Sequence, residues 1–419
     1  MQKQALPSAS TPESLHQGML GELLEDFMQK QALPSAAAPK SLPLGLLGEW
    51  LHLGQGAWDL GVHDGRAYFV YTPVNYQVGK AVPLIMILHG CAQSEFLFPA
   101  TIAFDTHMNP LADKHQFLVV YPFHADPLHL DINPISCWNF FLPVNQHRDS
   151  GEPLSLAGIV HDILGNTSQW TIDPNRIYVA GISSGAGAAV NLGVTYPDLF
   201  AAIGVHSGGE YGYRFLFLGE KGQAPSTLES LCEAKALRGE GEKRLPPGPP
   251  PIKQGEEAFK VEDSFARVVP TIVFHGTADQ VVDFENGNQV TQQWLTTNHL
   301  ASHGAFTATF EHPSSTIKHP AGPHGERSYT VNTWQDANGR DVVTYYQVEG
   351  MRHAWSGGSP GSIFTDPKGP DASQIIYDFF MAHPKETAVL GARSATLEAR
   401  LAALEARLAT LEAEVKPLV

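Results

Sequence analysis

Short apolar runs, separated by turns rich in glycine and proline, dominate the middle of this chain. Pro83-Leu84-Ile85-Met86-Ile87-Leu88, Leu118-Val119-Val120-Tyr121-Pro122 and Arg176-Ile177-Tyr178-Val179-Ala180 are three of them. Thr271-Ile272-Val273-Phe274-His275-Gly276 and Val342-Val343-Thr344-Tyr345-Tyr346-Gln347-Val348 are two more. Their β-branched and aromatic content predicts buried strands. An Ala/Gly-rich helical stretch follows residue 185. The pattern predicts an α/β fold with a mostly parallel central sheet over residues 58–386. The two ends differ. Near the N-terminus, Met1-Gln2-Lys3-Gln4-Ala5-Leu6-Pro7-Ser8-Ala9 recurs as Met28-Gln29-Lys30-Gln31-Ala32-Leu33-Pro34-Ser35-Ala36. Between the copies, Leu15, Met19, Leu20, Leu23, Leu24 and Phe27 fall at helical spacing, which predicts an amphipathic arm over residues 1–57.

At the C-terminus, Leu397, Leu401, Leu404, Leu408, Leu411, Val415 and Leu418 alternate steps of four and three. That places Leu401, Leu408 and Val415 at heptad a and the other four leucines at d. Arg400 and Arg407 fall at g, and Glu405 and Glu412 at the following e. The spacing predicts a coiled-coil helix over residues 387–419, with homo-oligomerisation through residues 390–419. Between these ends, residues 219–260 form a polar insertion carrying Leu245-Pro246-Pro247-Gly248-Pro249-Pro250-Pro251, a run expected to be neither helix nor central strand. It reads as a lid or as a surface excursion.

The chemistry starts at Gly181-Ile182-Ser183-Ser184-Gly185, a Gly-x-Ser-x-Gly pentapeptide between a predicted strand and a predicted helix. At such a strand-to-helix turn a serine hydroxyl projects above the sheet, and the flanking glycines admit close neighbours. Ser183 is the candidate nucleophile. A base and an acid should follow in the order Ser, Asp, His. Asp279 lies just past the run 271–276, with Asp283 as the rival acid. His353 lies past the run 342–348 in the glycine-bracketed loop Glu349-Gly350-Met351-Arg352-His353-Ala354-Trp355-Ser356-Gly357-Gly358. All three fall where strands of an open sheet end and sites form. The backbone N–H groups of Cys91 and Ser184 are the candidate oxyanion donors.

The blocks His89-Gly90-Cys91-Ala92-Gln93-Ser94, Cys137-Trp138-Asn139-Phe140-Phe141, Tyr178 to Gly185, Tyr196 to Gly208, Pro270 to Gly276 and His353 to Gly358 occur in one order. Together they resemble the catalytic domain of the poly(3-hydroxybutyrate) depolymerase family of esterases, over roughly residues 58–383. The resemblance implies an α/β-hydrolase fold and an ester-hydrolysing serine triad, which falls on Ser183, Asp279 and His353. It implies a polyester or oligoester substrate and no cofactor or metal. The same broad family holds feruloyl and acetylxylan esterases. Trp138, Asn139 and Trp355 lie in blocks close to the expected pocket and are candidate acyl contacts, although a buried core role accounts for Trp138 equally well. A granule-coating scaffold with a vestigial hydrolase domain is the alternative from a different class.

Composition narrows the setting. A formal charge of −16, from 27 basic and 43 acidic residues, argues against nucleic acid or an anionic membrane as partner. No apolar run approaches the ~18–20 residues that span a bilayer. The first residues hold no continuous apolar h-region, so the expectation is a cytoplasmic protein. The arm over residues 1–57 packs on its own domain or a neighbouring subunit, or adsorbs to a hydrophobic granule surface. The 3 cysteines, Cys91, Cys137 and Cys232, are too few for a disulfide framework. In secreted relatives Cys91 and Cys137 could be bridged; in a reducing cytoplasm they are expected as free thiols.

Overall fold

The computed structural model describes residues 54–91, 93, 98–124, 137–213 and 247–385. The coiled-coil helix, most of the N-terminal arm and residues 219–246 of the insertion lie outside the described residues. The strands are β1 (Ala57–His63), β2 (Arg66–Thr72), β3 (Val82–Leu88), β4 (Leu118–Pro122), β5 (Ile172–Ile182) and β6 (Ile203–His206). They continue with β7 (Thr271–Gly276), β8 (Ser315–His319), β9 (Tyr329–Gln335) and β10 (Asp341–Val348). These form one sheet of 10 strands in the order β1-β2-β4-β3-β5-β6-β7-β10-β9-β8. The run from β4 through β10 is parallel throughout. Antiparallel strands finish each edge: β2 and β1 on one side, β9 and β8 on the other. Two short strands, β11 (Trp355–Ser356) and β12 (Thr365–Asp366), pair separately.

The central strands are apolar on both faces because helices cover both. In β3, Leu84, Met86 and Leu88 join one core cluster while Ile85 and Ile87 join the other. In β5, Ile177 and Val179 face the first cluster, and Tyr178, Ala180 and Ile182 the second. The helices are α1 (Phe98–Thr106), α2 (Met108–His115), α3 (Gly151–Gly165), α4 (Ser184–Thr195), α5 (Pro251–Glu262), α6 (Phe284–Ala301) and α7 (Ala372–Ala382). Residues of α3 to α6 complete the first cluster, and those of α1, α2 and α7 the second. This is the doubly covered parallel sheet of an α/β-hydrolase.

The insertion departs from expectation. Residues 251–260 belong to α5, which begins at Pro251, where a missing N–H leaves no helical bond unmade. Ala258 is fully buried, and Thr297 Oγ1 in α6 donates to the Gly255 carbonyl at 3.1 Å. This part of the insertion is a helix docked on the domain. Residues 247–250 are not helical, and Pro251 at the end of the proline run starts the helix.

Candidate active site

Ser183 directly follows β5 and caps α4 with φ 58° and ψ −123°, a strained conformation for a residue with a side chain. The strain is fixed by close packing. A Cβ on Gly185 would lie 2.4 Å from both the Leu88 and His89 carbonyl oxygens, and one on Gly181 would lie 2.4 Å from the Gly185 oxygen. The Ser183 N–H donates to the His206 carbonyl at 2.9 Å. Unlike its buried neighbours Ile182 and Ser184, Ser183 keeps partial exposure.

Asp279 and His353 come together as expected: His353 Nδ1 lies 2.8 Å from Asp279 Oδ2. The other oxygen, Oδ1, accepts the backbone N–H groups of Val281 and Val282, each at 2.9 Å. His275, which closes β7, places Nε2 3.5 Å from Oδ2. Burial alone would push the Asp279 carboxyl up. The charge and hydrogen bonds of His353 and His275 outweigh it and hold the carboxyl well below the usual range. An ionised Asp279 keeps the His353 proton on Nδ1 and leaves Nε2 free as a base. No hydrogen bond joins Ser183 to His353 among the described residues; such contacts often tighten only when substrate arrives. Asp283, the rival acid, is instead the N-cap of α6 and accepts the Glu285 N–H at 2.9 Å.

The loop after β3 adjoins the serine. A Cβ on Gly90 would lie 3.2 Å from Ser183 Cβ, and Cys91 is the next residue along this loop. Ser184 is the first residue of α4, where backbone N–H groups lack helical partners. These positions suit the two expected oxyanion donors. Gln93 supports the loop: its Oε1 accepts the Gly90 N–H at 2.5 Å, and its Nε2 donates to Asp105 Oδ2 at 2.8 Å.

One expectation is corrected. Cys91 and Cys137 are joined by a disulfide, with Cα atoms 4.3 Å apart, and are not free thiols. The bridge ties the loop after β3 to the strap that carries Trp138 and Asn139. Of the three candidate acyl contacts, the two tryptophans are buried and Asn139 is half-buried. Trp138 and Trp355 are each 0% exposed. The Trp138 indole N–H donates to the His89 carbonyl at 3.0 Å and the Trp355 indole N–H to Ser373 Oγ at 3.0 Å. The Asn139 backbone N–H is chelated by both Glu152 oxygens at 3.1 Å. Arg66, half-buried with its guanidinium 5.3 Å from the Trp138 ring centroid, donates to the Phe123 and His124 carbonyls. A short sequence block near a pocket does not distinguish a wall from its foundation. Gln93, His206 and His275 went unnoticed in the sequence. For the two histidines the available signal was a polar residue closing an otherwise apolar strand.

No helix among the described residues is long and apolar enough to cross a membrane. Among those residues there is also no cluster of His, Cys, Asp and Glu that could hold a metal ion.

The Esterase PHB depolymerase family model matches residues 66–221. Poly(3-hydroxyalkanoate) depolymerase C of Paucimonas lemoignei is 28% identical over 294 residues, 68% of this chain and 60% of that protein. Poly(3-hydroxybutyrate) depolymerase of Ralstonia pickettii is 26% identical over 344 residues, 78% of this chain and 60% of that protein. An acetylxylan esterase of Coprinopsis cinerea is 25% identical over 249 residues, 59% of this chain and 58% of that protein. The chain thus spans about three-fifths of the length of these relatives. Among solved structures, the acetyl xylan esterase from Aspergillus awamori superposes with a TM-score of 0.53 at 18% identity, covering 78% of this chain and all of that one, which supports the fold. With its serine elbow and Asp–His pair on that fold, the chain is similar to the PHB depolymerase family of esterases, whose model matches residues 66–221.

Proposed function

We propose that this protein is a serine esterase that cleaves poly(3-hydroxybutyrate) or its oligomers through an acyl-enzyme. The observation that carries the reading is the 2.8 Å bond from His353 to a fully donor-satisfied Asp279, at the sheet edge that holds the Ser183 elbow. His353 Nε2 takes the Ser183 proton as Oγ attacks the ester carbonyl. The resulting oxyanion is met by the N–H groups of Cys91 and Ser184. The alcohol end departs with a proton returned by His353, and water releases the acid by the same route in reverse. An ester suits this machinery because an alkoxide leaves more readily than an amine.

The two depolymerase relatives favour a polyester or oligoester substrate. The acetylxylan esterase likeness, in sequence and in fold, favours a second reading: deacylation of a plant polysaccharide. The bonded Asp279–His353 pair speaks against a vestigial hydrolase. The Cys91–Cys137 bridge favours an oxidising compartment over the cytoplasmic, granule-associated setting that the sequence suggested. Self-association through residues 390–419 rests on their heptad spacing alone.

Purified protein is incubated with amorphous polyester granules, 3-hydroxybutyrate oligomers, methyl ferulate and acetylated xylan, and the released acids are quantified. The expected outcome is preferential release of 3-hydroxybutyrate. Ser183→Ala should lower it by several orders of magnitude while the fold is kept. Undiminished hydrolysis by Ser183→Ala would end the serine mechanism. A preference for ferulate or acetate would transfer the assignment to the second reading.

A further inference from the structure

His206 closes β6 and is fully buried, and the mechanism above leaves its side chain unused. Its carbonyl holds the Ser183 N–H at 2.9 Å. Its imidazole Nε2 accepts the N–H of Ser356 at 3.0 Å, three residues beyond His353. An acceptor at Nε2 requires the ring proton on Nδ1, which faces Ser207 Oγ at 3.1 Å. The ring stacks on Trp355 at 5.0 Å and on Phe274 at 5.5 Å, so its plane is fixed. Burial pushes its pKa well below the ordinary value. His275 and His353 act in the same direction and Asp279 opposes them. The ring stays neutral and keeps its acceptor.

The bonds on either side of Ser356 show why that acceptor matters. The N–H groups of Trp355 and Gly357 donate to the Phe364 and Asp366 carbonyls, within the loop that follows His353. The Ser356 N–H points the other way, toward the sheet, and reaches His206. The loop is therefore internally closed by its own pairing and attached to β6 by this side chain.

We propose that His206 is a positioning residue that sets His353 against Ser183, holding the nucleophile's backbone with its carbonyl and the base's loop with its imidazole. Backbone pairing could hold the serine whatever residue stood here; the link to the base needs an acceptor at the reach of Nε2. The proposal rests on the esterase reading, and Ser183→Ala separates the failure of one from the failure of the other.

Three variants of the full chain test it by steady-state hydrolysis of p-nitrophenyl butyrate and by thermal unfolding. In His206→Gln the amide oxygen reaches the Nε2 position. In His206→Asn it does not. His206→Phe keeps the stacking and removes the acceptor. Expected are a kcat within about threefold of the native value for Gln, and a fall of about ten- to a hundredfold for Asn and Phe, with KM changed less than about twofold. Equal kcat for Gln and Asn would overturn the proposal, as would a native kcat in a folded Phe variant. Losses that track the unfolding temperature across the three would reduce His206 to packing and overturn it too. Should Phe fail to fold, the Gln and Asn pair decides. Native activity in Ser183→Ala would instead sink the esterase reading and this proposal with it.

Discussion

Asp279, past the end of β7, and Glu210, past the end of β6, are each about 1% exposed, yet their surroundings treat them oppositely. Asp279 receives two backbone N–H groups, the His353 ring and, more distantly, His275. Glu210 finds no hydrogen-bond partner for either carboxylate oxygen among the described residues. Burial pushes its pKa up to about 8, although its own backbone N–H works against the shift. Burial is common to both, so the donor set decides which acid is charged. In the proposed mechanism Asp279 orients the base and has to stay ionised, and the donors of the loop after β7 suit that role. The loop after β6 contributes His206 and Ser207 to the site, and its acid is held neutral.

Replacing Asp279 is the largest break in this comparison. Asp279→Asn leaves a group that can still accept the Val281 and Val282 N–H bonds but presents an amide donor to His353 Nδ1. The imidazole is driven to the wrong tautomer, and kcat should fall by about 10⁴-fold. Linkage supplies a second readout. Because the folded-state pKa of Asp279 is depressed, its contribution to stability is present above the unfolded value near 3.8 and is lost as pH falls through the folded one. The Asn variant should lack that acid-side loss in denaturation curves. A variant retaining even a tenth of native kcat would mean that Asp279 is not the orienting acid.

Glu210 should behave in the opposite sense. With a folded pKa of about 8 against an ordinary 4.5, the folded state holds the proton longer than the unfolded chain. Stability then falls as pH rises from about 4.5 to about 8, on the order of 1.4 kcal/mol per unit at most, and the penalty is complete above it. Glu210→Gln removes the penalty. It should match the native protein near pH 4 and exceed it by a few kcal/mol at pH 9, with kcat at neutral pH within about twofold. A stability difference independent of pH would show that the Glu210 pKa is the same in the folded and unfolded chain, so that burial does not hold it neutral.

How much of this could be read in the sequence follows the range of the interactions. β7 begins and ends at the predicted residues, because a buried parallel strand is announced by its own apolar run. The Ser183, Asp279 and His353 positions were legible because each sits just past such a run, and chain order supplied the rest. The Asp279 nest was half legible, since its two amide donors lie two and three residues ahead. By contrast, Gln93 to Asp105, Cys91 to Cys137 and Ser356 to His206 join segments that only the sheet order brings together. Trp138 could be read as a pocket or a core residue for the same reason: its block is near the site, and only packing shows that it is buried. Pro251 was misjudged because a proline run that forbids a helix interior also makes a good helix start.

Asp283 gives the smallest and most discriminating break, since it shares a loop with Asp279 and was its rival. Its carboxylate caps α6 by accepting the Glu285 N–H, one of the unpaired donors of the first helical turn. Asp283→Ala should therefore cost about 1 kcal/mol of stability, the usual worth of such a cap. It should leave kcat and KM within about twofold, because none of the bonds that hold Asp279 comes from its side chain. Chemical denaturation and steady-state kinetics on the same preparation distinguish the cases. A large loss of kcat with unchanged stability would reverse the roles of the two aspartates. The expected pattern, stability down slightly and turnover untouched, would leave the donor set as the difference between two acids four residues apart.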